Sequence, residues 1–118
     1  MIHNFRELDV WQKSMKLTST IYALTKLFPK EEVYALCSQM QRAATSIPSN
    51  IAEGSGRSTD KELSHFLNIA LGSAYELETE LLIAIDALYV SKEQGAIVSQ
   101  QIIEIQKMLY ALIKRYNV

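Results

Sequence analysis

The residues of this chain that could do chemistry are few and scattered. Glu62-Leu63-Ser64-His65 places a glutamate and a histidine at the helical spacing used by carboxylate-bridged di-metal bundles. Such centres need two of these motifs and further inward glutamates, and the sequence has one. The other histidine, His3, precedes the first helix without a matching glutamate, so no metal site is expected and His65 reads as a solvated or hydrogen-bonded side chain. Cys37 falls at a near-buried helical position with no histidine close in sequence, which suits a core thiol rather than a nucleophile. Gly54-Ser55-Gly56 is too short, and wrongly placed between helices, to cradle a phosphate. Glu76, Glu78 and Glu80 read as a solvated charged face. No catalytic residue, cofactor or small-molecule substrate is expected, and the chain is expected not to be an enzyme.

The stretch from Gln39 to Arg57 does more than form a helix. Met40, Ala43, Ile47 and Ile51 keep a helical spacing across it, yet Pro48 sits in the middle. A mid-helix proline removes one backbone hydrogen bond and crowds the carbonyl four residues back, here that of Ala44, at a cost of roughly 3 kcal/mol. A kink at Pro48 is therefore expected, with small or hydroxyl-bearing neighbours (Ala43, Thr45, Ser46, Ser49, Ala52) leaving room for a hydroxyl or water on the freed carbonyl. Pro48, Asn50, Glu53 and Gly54 stand out as a structural motif. The segment is either a kinked packing helix with solvated polar heads or a recognition and assembly surface.

Length and composition bound the rest. The 118 residues amount to one domain, 1–118, and 48% hydrophobic content with only 4 Gly and 2 Pro makes the class all-α. A net charge of -1 and a pI near 6.1 exclude a dominant basic surface while leaving room for a local patch. Neither a secretory signal nor an apolar run long enough to span a membrane is present, and the lone Cys37 has no disulfide partner in the chain. A soluble, cytoplasmic protein is expected.

Four helices position these residues. The first runs from about Leu8 to Leu27, with Val10, Ser14, Leu17, Ile21, Leu24 and Phe28 inward. After Phe28-Pro29 the second runs from Lys30 to Glu53, its inward residues Val33, Leu36, Met40, Ala43, Ile47 and Ile51, and it leaves through a left-handed turn at Gly54-Ser55-Gly56. Thr59 and Glu62 form a capping box that opens a third helix, Asp60 to Tyr89, lined by Leu63, Leu67, Ala70, Ala74, Leu77, Leu81, Ala84 and Leu88. Ser91 and Gln94 open a fourth, Lys92 to Tyr116, with Val98, Ile102, Ile105, Leu109, Leu112 and Tyr116 inward. Short connections make the whole an up-down-up-down four-helix bundle. Second apolar rows, Trp11, Met15 and Tyr22 on helix one and Leu71, Tyr75, Leu82, Ile85 and Tyr89 on helix three, exceed what one core stripe requires. They are either absorbed by a broad core or supply the interface of a homo-oligomer.

Ser38-Gln39, Arg42-Ala43-Ala44, Ser46-Ile47-Pro48-Ser49-Asn50-Ile51-Ala52-Glu53-Gly54 and Gly56-Arg57 resemble the signature of the 23S rRNA intervening-sequence proteins, small bacterial four-helix bundles. Phe5-Arg6-Glu7-Leu8-Asp9-Val10-Trp11, Phe28-Pro29, and Phe66-Leu67-Asn68-Ile69-Ala70 with Gly72 to Thr79 extend that similarity over about residues 5–115. One departure is Gln41-Arg42, where the family often carries two arginines. The resemblance implies a pentameric ring and a nucleic-acid association, RNA above all, in which Arg42, Arg57, Lys61 and His65 would face phosphate together. The competing expectation, favoured by the acidic balance and by Gln41, is a protein-interaction scaffold without a nucleic-acid role.

Overall fold

A computed structural model describes residues 4–116. A single 3-10 turn, Phe5–Glu7, precedes four helices: α1 (Asp9–Thr25), α2 (Leu36–Ser55), α3 (Asp60–Asp86) and α4 (Lys92–Tyr116). No strand occurs among the described residues. Each helix packs on the next in sequence, and α1 meets α4 to close a bundle of 43 × 24 × 20 Å. The α2–α3 seam is the most extensive and the α1–α4 seam the thinnest.

The core follows the periodic stripes with instructive exceptions. All six inward residues expected of α1 are buried, as are Leu36, Met40, Ala43, Ile47 and Ile51 of α2. Val33 is exposed, because residues Lys30–Glu32 form a separate 3-10 turn and Ala35 (φ -121, ψ -102) breaks the helical register before α2 begins at Leu36. The expected Lys30 start of the second helix is corrected accordingly. Glu32 nevertheless does the work expected of a carboxylate there, since its Oε1 accepts the Leu36 N–H at the positive end of α2 (3.4 Å).

The far end of α3 departs as well. The helix stops at Asp86 rather than Tyr89, and Leu88 takes a left-handed φ of 66 and is exposed. The Tyr89 N–H reaches the Ala84 carbonyl (2.9 Å) and the Leu88 N–H that of Ile85 (3.0 Å), the two bonds of a Schellman ending. A glycine ordinarily marks that left-handed position, and leucine there gave no signal. On α4, Leu112 and Tyr116 are only half-buried against the core, and Ile113 is buried instead.

Both expected caps form, one of them differently. Thr59 Oγ1 accepts the Glu62 N–H (3.1 Å), but the Glu62 carboxylate takes the Thr59 hydroxyl (3.0 Å) rather than a backbone donor. Ser91 Oγ accepts the Gln94 N–H (3.1 Å). The left-handed exit from α2 is absent: no glycine has a positive φ, and Gly54 remains inside the helix, buried against α3.

At Pro48, α2 stays helical on both sides. The carbonyl that the proline deprives of its donor is met by a hydroxyl, Thr18 Oγ1 of α1 lying 3.1 Å from Ala44 O and 2.8 Å from Ser14 O, so one proton serves two carbonyls. Replacing Pro48 by alanine would supply an N–H to a carbonyl already served, into a buried position that the neighbours already fill. We therefore expect Pro48→Ala to leave the melting temperature within about 3 °C of wild type, well short of the shift that recovering roughly 3 kcal/mol would bring. A clear rise with unchanged oligomeric state would mark the proline as a local defect rather than a bend the bundle is shaped around.

Candidate functional site

The expected cations do not converge. Arg42 stands on the exposed crest of α2, whereas Arg57 lies fifteen positions on, about 22 Å along a helix at 1.5 Å per residue. Arg57 is instead gathered with two α3 residues: its guanidinium lies 4.7 Å over the Phe66 ring, and the His65 ring meets the same Phe66 edge-on at 5.2 Å. Arg57 also pairs with Glu53 at 3.3 Å, a surface contact contributing under about 1 kcal/mol. Lys61 is exposed one helical turn before His65. The expected Glu62–His65 pair is solvent-facing, and no cluster of three or more metal-ligating side chains occurs among the described residues. His3 lies outside them.

Gly54 explains how this end is built. A Cβ placed there would lie 3.0 Å from Phe66 Cβ and 3.1 Å from Leu63 Cδ1, so glycine lets α3 pack tightly here, where Phe66 lies under Arg57.

Arg42 belongs to a different site. A groove of about 570 Å³ runs between α2 and α3, lined by Gln39, Arg42, Ala43, Ser46, Ser73, Glu76 and Glu80. At its floor the Ser46 and Ser73 hydroxyls meet at 2.8 Å, and Asn50 Nδ2 donates to Ser46 Oγ (2.9 Å) and Ser46 O (2.8 Å). Small residues of α3 line this side: Ala70 and Ala74 are buried, Ser73 bridges to α2, and Gly72 faces open space. A shallower groove of about 370 Å³ on the other flank of α2 joins Tyr22 to Ser38, Gln41, Arg42, Thr45, Ser46 and Ser49.

Glu80 overturns the expectation of a solvated Glu76-Glu78-Glu80 face. It is 7% exposed, its Oε1 is sealed from solvent and has no hydrogen-bond partner, and burial together with the Glu76 charge pushes its carboxyl up to about 7. Glu78 is half-buried and accepts from Gln106 Nε2 of α4 (2.8 Å), which leaves Glu76 as the exposed member. The missed signal was spacing: Ser73, Glu76 and Glu80 share one stripe flanking the core residues Leu77 and Leu81. Cys37 behaves as expected, buried, with Sγ 3.5 Å from the Thr25 carbonyl, and burial raises its thiol further from reactivity.

The second apolar rows divide. Trp11, Leu71, Ile85 and Tyr89 pack on the chain's own core, Trp11 edge-on to Phe5 and Tyr89 against Phe28 with its hydroxyl donating to Glu32 (2.9 Å). Met15, Tyr22, Tyr75 and Leu82 stay exposed, at 44%, 44%, 51% and 52%.

With the fold and these surfaces established, residues 6–111 match the family model described as 23S rRNA-intervening sequence protein. The chain belongs to this family. No curated protein matches it. A solved relative, described as a protein of unknown function from the S23 ribosomal protein family of Bacteroides thetaiotaomicron, is 32% identical and superposes with a TM-score of 0.83 over 89% of this chain and 95% of its own. In this 23S rRNA-intervening sequence protein, then, the signature stretch from Gln39 to Arg57 forms most of α2 and its exit, its first half borders two grooves, and its Gly54 is packed closely on α3.

Proposed function

We propose that the protein is a non-enzymatic, cytoplasmic bundle that assembles head-to-tail with copies of itself into a closed ring and associates with RNA through cations repeated around it. Five is the number the family resemblance suggests. The observation that carries the assembly is the placement of the exposed apolar residues. Met15 and Tyr22 lie on the flank of α1 beside α2, whereas Tyr75 and Leu82 lie on the flank of α3 that faces α4. Two apolar surfaces on different seams suit a heterologous contact, which must close to avoid fibres. No helix among the described residues is long and apolar enough to cross a membrane.

For RNA, the supporting feature is the Arg57, Phe66 and His65 cluster with Lys61 beside it, an aromatic flanked by cations of the sort that accepts a base face and a phosphate. Repetition around a ring would strengthen a patch that is weak in one copy. Arg42 sits in a groove with two carboxylates and adds little to this surface. That placement favours the second reading, a scaffold that binds protein alone.

Light scattering behind size exclusion is expected to give a mass several times 13.4 kDa, near fivefold, and Tyr22→Glu with Leu82→Glu should return it to a single copy. A mass of 13.4 kDa for the wild type would overturn the assembly. A labelled structured RNA should bind more weakly as salt rises and on Arg57→Ala. An intact ring without that binding would leave the scaffold reading.

A further inference from the structure

The α2–α3 groove holds a feature that neither the fold nor the assembly uses. Glu80 lines the groove yet is more than nine-tenths buried, and its Oε1 is sealed behind the groove wall without a partner, although native structures pair nearly all buried polar side-chain atoms. Its nearest charged companion on α3, Glu76, repels it. Across the groove the one cation is Arg42, which makes no salt bridge to either carboxylate. Between the two walls lie the paired Ser46 and Ser73 hydroxyls, Gln39 supplies an amide at the rim, and the space, about 570 Å³, exceeds what a few waters need.

The geometry points to a binding site for a small zwitterion of the amino-acid class, its guanidinium or ammonium group received by Glu80 and Glu76 and its acidic group by Arg42. Because Oε1 is sealed, a cationic nitrogen in the groove meets the other edge of the Glu80 carboxylate together with Glu76, and a guanidinium suits the two best because its planar fork reaches two oxygens at once. Arg42 on the facing wall disfavours a simple cation and favours a ligand with a negative end. The serine pair offers neutral hydrogen bonding between them. A divalent metal fits less well: the groove brings two carboxylates and a competing arginine, with no third ligating acid, histidine or cysteine. The site is independent of the ring, and oligomeric mass is read separately from binding.

The test is an amide-resolved NMR titration of the intact protein with L-arginine, which carries both charged ends, and with agmatine, which lacks the carboxylate. L-arginine is expected to shift the amides of Gln39, Ser46, Ser73 and Glu80 and to bind about tenfold more tightly than agmatine. Glu80→Gln, close in shape, should weaken both probes about tenfold, and Arg42→Ala, an exposed change, should bring L-arginine down to the level of agmatine. Thermal melts of both variants confirm folding. Absence of shifts at these positions with either probe overturns the site, as does binding unchanged by Glu80→Gln. Tighter arginine binding on Arg42→Ala also overturns it, because Arg42 would then be the internal partner of Glu80.

Discussion

Valine in place of Gly54 is expected to destabilise the protein by about 2–3 kcal/mol, the upper part of the usual range for overpacking a filled core. The reason is what the new atoms would meet. A Cβ alone lies 3.0 Å from Phe66 Cβ and 3.3 Å from the Leu63 carbonyl oxygen, and both are tied to the α3 backbone, so neither can swing aside. Two further methyls would force α2 and α3 apart along the most extensive seam in the bundle. At Gly95 an added Cβ would clash with Ile85 Cδ1 and, at 2.8 Å, with its Cγ1, side-chain atoms only, so relief there needs the Ile85 side chain and not a helix backbone to move. Thermal melting should register Gly54→Val as a loss of roughly 10 °C, whereas Gly54→Ala should lose less, since alanine regains up to about 1 kcal/mol of helix propensity. A Gly54→Val melt within about 2 °C of wild type would mean that the helix spacing adjusts freely.

Glu80 should make the protein less stable as the medium becomes less acidic. In the folded state its carboxyl holds a proton up to about pH 7, against an ordinary value of 4.5, because burial and then Glu76 disfavour the charge. Between these values the folded state binds more protons than the unfolded one, so stability falls as pH rises from 4.5 to about 7 and levels above it. The contribution lost across this window is at most about 3 kcal/mol, at 1.36 kcal/mol per unit. Arg42, the one facing cation, is exposed and reduces that figure only if it swings into the groove. Glu80→Gln should remove this slope and melt above wild type at pH 8. Identical pH profiles for the two proteins would place the carboxyl in contact with water after all.

Most of the bundle was legible because its information is periodic. The stripe residues from Val10 to Leu24 on α1 and on to Phe28 beyond it, and from Leu63 to Ala84 on α3, are buried as their four-three alternation requires. What failed was local backbone geometry with no sequence mark. Leucine at a left-handed helix end looks like one more apolar step, so Leu88 was placed inward and is 87% exposed. Lys30 to Val33 carries good helix formers, yet the 3-10 turn and Ala35 decide its register. The Ala44 carbonyl is expected to meet a hydroxyl or water, but that the group is the Thr18 hydroxyl of another helix depends on tertiary contact. The candidate site was less legible still. Identity alone put Arg42 with Arg57, Lys61 and His65, while the wheel around α2 and α3 puts it with Glu80. Half of the second apolar rows went to the core because Phe5 and Phe28 reach over to cover Trp11 and Tyr89.

The order in which the helices touch bears on how the chain reaches this state. Three of the four helix seams join elements adjacent in sequence, two across links of four and five residues and α1–α2 across ten, so little loop entropy is lost before contacts are rewarded. Chains of this topology sit at the fast end of folding rates, on the microsecond-to-millisecond scale. Association of α2 with α3 offers the earliest large gain, since their seam is the most extensive and their link the short stretch from Gly56 to Thr59. The α1–α4 seam spans the greatest sequence distance and holds the fewest groups, the exposed Lys13–Glu104 pair at 3.0 Å among them. That seam is expected to form last and open first, and amide hydrogen exchange should then be faster along the α1–α4 contact than along the α2–α3 seam.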